Sequence, residues 1–128
     1  MAREIIESRD APAPIGPYSQ AVRAGDYLFV SGQIPLDPAT GEIVASDAAA
    51  AAERALLNLQ AVFQAAGAEL DQAVKVTVYL RDIRDFPAVN EVYARFFGRT
   101  KPARACVECS RLPRDASVEI DAVAYLGR

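Results

Sequence analysis

Between residues 48 and 98 the hydrophobic pattern changes period twice, and no other feature of the chain limits its fold so strongly. The stretch Ala48 to Ala66 contains neither Pro nor Gly, and Ala52, Leu56, Leu59, Phe63 and Ala66 recur every three or four residues. That spacing predicts a helix with one apolar stripe, capped by Ser46 or Asp47 and stopped at Gly67. Val74, Val76, Val78 and Leu80 then alternate with Lys75, Thr77 and Tyr79, the period of a half-buried strand. The helical period returns at Val89, Val92, Tyr93 and Phe96, in a segment opened by Asp85 and Pro87 and ended by Gly98.

Shorter extended segments flank this unit. Ile5-Ile6 opens a strand, Asp10 to Pro17 is a proline-rich loop, and Tyr18 to Arg23 with Tyr27 to Ser31 form a hairpin around Ala24-Gly25-Asp26. A turn over Asp37 to Gly41 leads to Ile43-Val44. Towards the C-terminus, Ala103 to Ser110 and Ser117 to Tyr125 read as strands around Leu112-Pro113-Arg114-Asp115. The order ββ(β)-α-β-α-β-β predicts an α+β fold, one domain over residues 1–128, with two helices on one sheet face.

Treating the last two strands as a hairpin places side chains by period 2. Val118, Ile120, Ala122 and Ala124 suit the helices, so Glu119 and Asp121 face away. With Ala105, Val107 and Cys109 as the apolar set of the preceding strand, Arg104 and Cys106 emerge beside Glu119 on the helix-free face. The same face carries Tyr79, Val123 and Tyr125, an awkward mixture for a solvated sheet. A symmetric oligomer covering it would leave the charged groups in clefts between subunits.

The chain has no His, which removes Ser-His-Asp and Cys-His catalysis and every His-ligated metal site. Lys plus Arg number 14 against 17 Asp plus Glu, a net charge of −3 that argues against nucleic-acid binding. Cys106-Val107-Glu108-Cys109 matches C-x-x-C, but residues three apart on a strand face opposite ways, which suits neither a metal nor a redox pair. Without an apolar run of membrane-spanning length or a signal-peptide pattern, the expected location is cytoplasmic. Each candidate also has a structural reading: Arg104 as an ion-pair partner of Glu108 or Glu119, Cys106 as a packing residue, Glu119 as a solvated strand charge.

Five segments together resemble the RidA (YjgF) family of enamine/imine deaminases: APAPIGPYSQAV (Ala11 to Val22), VSGQIPLDPATGEIV (Val30 to Val44), NEVYARFF (Asn90 to Phe97), PARACVECSRLP (Pro102 to Pro113) and VEIDAVA (Val118 to Ala124). The resemblance implies a chorismate-mutase-like (YjgF-like) fold, a mixed β-sheet with two helices on one face, and a homotrimer with sites between subunits. It implies hydrolysis of reactive 2-imino acids, such as 2-iminobutanoate and 2-iminopropanoate, to 2-keto acids and ammonia, with neither metal nor organic cofactor. Arg104 would clamp the substrate carboxylate, Glu119 would hold water and move protons, and Cys106, Tyr18, Ser31 and Gly32 would line the pocket. Asn90 and Tyr93 match the family as well, with a structural role at least as expected. An endoribonuclease or translation inhibitor, and a non-catalytic ligand-binding or chaperone-like trimer, stand as alternatives.

Overall fold

A computed structural model describes residues 3–44 and 46–127. Among them are strands β1 (Glu4–Ile6), β2 (Ala21–Ala24), β3 (Tyr27–Gln33), β4 (Ala73–Leu80), β5 (Ala103–Glu108) and β6 (Val118–Tyr125), with helices α1 (Ala48–Ala65) and α2 (Phe86–Phe97). The expected helices stand where the apolar periods put them. Asp47 is the cap of α1, its side chain accepting from the Ala50 amide at 2.7 Å. Leu56, Leu59, Val62 and Phe63 are fully buried on the stripe of α1, and Val89, Val92 and Tyr93 are buried on that of α2.

The six strands form one sheet in the order β1-β2-β3-β6-β4-β5. Only β4 and β5 run parallel, joined by a crossover through α2, which makes the sheet mixed. This corrects the expected C-terminal hairpin: β4 lies between β5 and β6 and pairs with both. The parallel crossover takes β5 to the sheet edge, and the chain then passes across the end of β4 to enter β6.

The register settles which side chains share a face. Val118, Ile120, Ala122 and Ala124 of β6, with Val76, Val78 and Leu80 of β4, are buried beneath the helices. Val74 departs from its expected phase and is exposed, because the β4–β6 register shifts between Ala73 and Lys75 and the bulge turns it outward. Ile43, expected as part of a strand, makes only an isolated bridge to Leu36. On the helix-free face the pairs Ile5–Val22, Val22–Phe29 and Phe29–Val123 form an apolar ladder across four strands. Tyr27 stacks beside it against Tyr125, ring centroids 5.3 Å apart. Ile5, Tyr27, Phe29 and Tyr125 are all exposed there.

Candidate active site

Arg104 rises from the edge strand β5 towards α2, where Phe86, Asn90 and Tyr93 lie four and three residues apart on one helix face. Its Nη1 donates to Asn90 Oδ1 at 2.7 Å, and its guanidinium carbon lies 4.7 Å from the Tyr93 ring centroid and 5.2 Å from that of Phe86. Two ring faces and one amide thus fix the plane of the guanidinium. No ion pair to Arg104 occurs among the described residues, so neither Glu108 nor Glu119 neutralises it. Cys106 follows on the same face and packs against the core. Burial pushes its thiol pKa up, offset in part by Arg104, so it is protonated and poorly nucleophilic at neutral pH. An open hollow lined by Ile83, Arg84, Phe86, Pro87, Arg104 and Cys106 surrounds this group.

Glu119 stands elsewhere. It pairs with Tyr79 on the helix-free face, and its carboxylate lies over Gly32, where β3 bulges between Val30 and Gln33. A Cβ at position 32 would overlap Glu119 Oε2, so only glycine leaves the carboxylate where it lies. Ser31, beside it, donates through Oγ to the Ser19 carbonyl at 2.6 Å and through its amide to the Gln20 carbonyl at 2.9 Å, which holds the bulge in place. Tyr18 is exposed at the mouth, its hydroxyl accepting from the Ile15 amide at 3.3 Å. Half-burial raises the Glu119 pKa, and the negative charge of Asp121 on the same face raises it further.

The expected residues therefore fall into two groups. Glu119, Tyr18, Ser31 and Gly32 line one hollow with Ile34 and Pro113; Arg104 and Cys106 line another. This corrects the expectation of a shared face. Arg104 aligns with Val76 and Glu119 with Tyr79, which leaves the two about 10 Å apart across the sheet and about 10 Å along it, pointing from opposite faces. An apolar phase of Ala105, Val107 and Cys109 would turn Val107 to the helices, yet Val107 is exposed on the helix-free face. On an edge strand beside a short helix, an arginine with aromatic partners occupies the helix side instead. Asn90 belongs to this group through the Arg104 contact, and its signal in the sequence is the Phe86/Asn90/Tyr93 stripe, an amide between two rings on the helix that follows β4.

Comparison with known proteins converges on one family. Residues 8–126 match the profile of the family described as Endoribonuclease L-PSP. A RutC family protein of Pyrococcus abyssi is 54% identical over 125 residues, covering 98% of both chains. The crystal structure of Escherichia coli TdcF with bound serine superposes with a TM-score of 0.93 at 45% identity, covering 97% of this chain and 99% of that one. The Escherichia coli YjgF gene product superposes with a TM-score of 0.91 at 45% identity, covering 95% and 98%.

Proposed function

Because the chain belongs to the RidA (YjgF) family, known also as RutC and Endoribonuclease L-PSP, we propose that it is an enamine/imine deaminase, hydrolysing 2-imino acids to 2-keto acids and ammonia. The observation that carries this reading is the Arg104 guanidinium, oriented by Asn90, Tyr93 and Phe86 and left without a carboxylate partner among the described residues. An oriented, unneutralised fork of donors is a receptor for a planar carboxylate, which every 2-imino acid carries. TdcF, 45% identical, is a serine-bound relative, and serine presents the same group.

The working site joins the Arg104 group of one copy to the Glu119 group of the next in a homotrimer. The exposed apolar ladder on the helix-free face, with Phe29 half exposed at 50%, supports burial of that face between copies. Arg104 then holds the substrate carboxylate, with Cys106 as a neutral wall, and Glu119 holds water against the C=N carbon. Water addition forms the C–O bond and sends the π pair to nitrogen. The proton released by the water passes through Glu119 to that nitrogen. Glu119 then takes the carbinolamine hydroxyl proton and passes it to nitrogen, so that collapse breaks the C–N bond, expels ammonia and leaves the keto group. The raised pKa of Glu119, from burial and the Asp121 charge, makes it a stronger proton acceptor than an ordinary carboxylate.

The test is a coupled assay. A dehydratase generates 2-iminobutanoate, and keto-acid appearance is followed with and without the protein. Arg104→Ala is expected to abolish the acceleration while leaving a folded oligomer; full activity in that variant would sink the carboxylate clamp. The family description favours ribonuclease activity as a second reading, which RNA cleavage lost in both Arg104→Ala and Glu119→Ala would support. The net charge of −3 weighs against it.

A further inference from the structure

Behind Tyr18 lies a cavity of about 370 Å³ that continues the Glu119 hollow, sharing Tyr18, Gly32, Ile34 and Pro113 with it. Two irregular segments form its walls, the proline-rich loop at Pro12 and Ile15 and the segment after β3 at Ile34 and Leu36. Such walls keep their shape only if their carbonyls find donors. Two buried carboxamides provide them. Gln20, 3% exposed, donates through Nε2 to the carbonyls of Ser8, Ala11 and Pro12 at 3.1, 3.4 and 2.8 Å. Asn58, fully buried on α1, donates through Nδ2 to those of Ile34 and Leu36 at 3.2 and 2.8 Å, while Arg54 occupies its Oδ1. The cavity is a built space with pinned walls.

Its volume falls within the range of about 300–1,000 Å³ that accepts a whole small ligand. That exceeds what the methyl or ethyl group of the smallest 2-imino acids would fill. Most of its lining is aliphatic, and the Gln33 amide nitrogen is committed to the Ser31 carbonyl at 3.2 Å. Arg114 is the cation on its wall. Arg114 and Asp115 both adopt left-handed backbone, with φ of 58° and 56°, although neither is glycine. Such geometry persists where the surroundings over-determine it, often at ligand clamps. Here Arg81 Nη1 donates to the Asp115 carbonyl at 2.7 Å and secures the turn. The Arg114 guanidinium makes one long contact, 3.4 Å to the Gly41 carbonyl, and forms no ion pair among the described residues.

We propose that this cavity is the subsite for the substrate side chain, and that it takes an apolar stem ending in an oxygen acceptor, which Arg114 receives. The proposal rests on the deaminase reading for the position of the reacting carbon beside Glu119. It extends the substrate class from short alkyl imino acids to those with a second carboxylate.

The probes are 2-ketoglutarate and 2-ketobutanoate, titrated calorimetrically into the wild-type protein, Arg114→Met and Arg114→Lys. Imines generated from glutamate and from 2-aminobutyrate are assayed in parallel. The wild type is expected to bind 2-ketoglutarate at least tenfold more tightly than 2-ketobutanoate. Arg114→Met should lose that preference, keep 2-ketobutanoate binding within twofold, and recover part of the preference as Arg114→Lys. Equal binding of the two keto acids by the wild type, or equal weakening of both by Arg114→Met, overturns the subsite. Hydrolysis of 2-iminobutanoate without any such preference leaves the deaminase reading standing and the subsite refuted. An Arg114-dependent preference without hydrolysis of any imine does the reverse.

Discussion

Replacing Gly32 by alanine tests whether the position of the Glu119 carboxylate, rather than its mere presence, matters for turnover. A Cβ built at Gly32 sits 2.8 Å from Glu119 Cδ and 3.1 Å from Cγ, and overlaps Oε2 outright. Comfortable carbon contacts begin near 3.5 Å, so the carboxyl group must retreat by about 0.7–1 Å. A misplacement of about 1 Å in a group that positions a reactant can cost about 10²-fold, equivalent to about 2.7 kcal/mol of barrier. The fold should not share the loss. Gly32 does not lie in the left-handed region and the atoms in its way are the far end of a side chain, so alanine instead restricts the unfolded chain by about 0.4–1 kcal/mol. Gly32→Ala is therefore expected to melt at or slightly above the wild-type temperature while kcat/KM for 2-iminobutanoate falls about 100-fold. In a Glu119→Gln background the added alanine should cost little, since both changes act through one group. A Gly32→Ala protein with wild-type kcat/KM, or one whose loss simply adds to that of Glu119→Gln, would refute the role given to Glu119.

Three further perturbations separate charge from assembly. The Glu119 pKa is raised by burial and by Asp121, so its ionised form is disfavoured in the folded state. That penalty is fully present above the folded pKa and vanishes below the ordinary carboxylate range; Glu119→Gln should thus raise Tm increasingly as pH rises above that range and leave it unchanged in acid. If Glu119 is the proton acceptor it must be ionised, so the acid limb of kcat should lie above the ordinary carboxylate range, and Asp121→Asn should lower it. Phe29→Glu, in the middle of the apolar ladder, should reduce the mass measured by sedimentation to that of one chain and abolish turnover with it; a full-sized active oligomer would show that this face is not the contact.

The elements were legible because their periods are written in residues that pack: Leu56, Leu59 and Phe63 could not be a strand, nor Val76, Val78 and Leu80 a helix. Glu119 was legible for the same reason, since Ile120 and Ala122 fix the phase of a strand buried on one side. Strand neighbours were not, because the sequence order of β4, β5 and β6 does not disclose that β5 crosses over to the edge. The phase of β5 failed through chemistry. An edge strand with Ala105 and Val107 on one side and Arg104 and Cys106 on the other has no decisive apolar face, and the deciding contacts come from α2, fourteen residues away at Asn90. Arg114 left no trace beyond a turn, because left-handed backbone at a non-glycine residue is set by its neighbours, here by Arg81 on the Asp115 carbonyl.

The separation of Arg104 from Glu119 makes one demand that no site within a single chain would make. Within one copy the two side chains leave opposite faces of the sheet, so neither can serve the other's substrate. If the site joins Arg104 of one subunit to Glu119 of the next, an Arg104→Ala copy still brings an intact Glu119, and a Glu119→Gln copy an intact Arg104. Unfolding and refolding the two dead variants together in equal amounts should place intact halves against each other in about one site in four of a cyclic trimer, and so restore about a quarter of wild-type activity. The variants refolded separately and then combined must stay inactive until subunits exchange. Recovery that tracks the formation of mixed trimers, separated by a charged tag on one variant, fits only a shared site. Mixed trimers that form and remain dead would place the whole reaction within one chain, and Arg104 or Glu119 would lose its role.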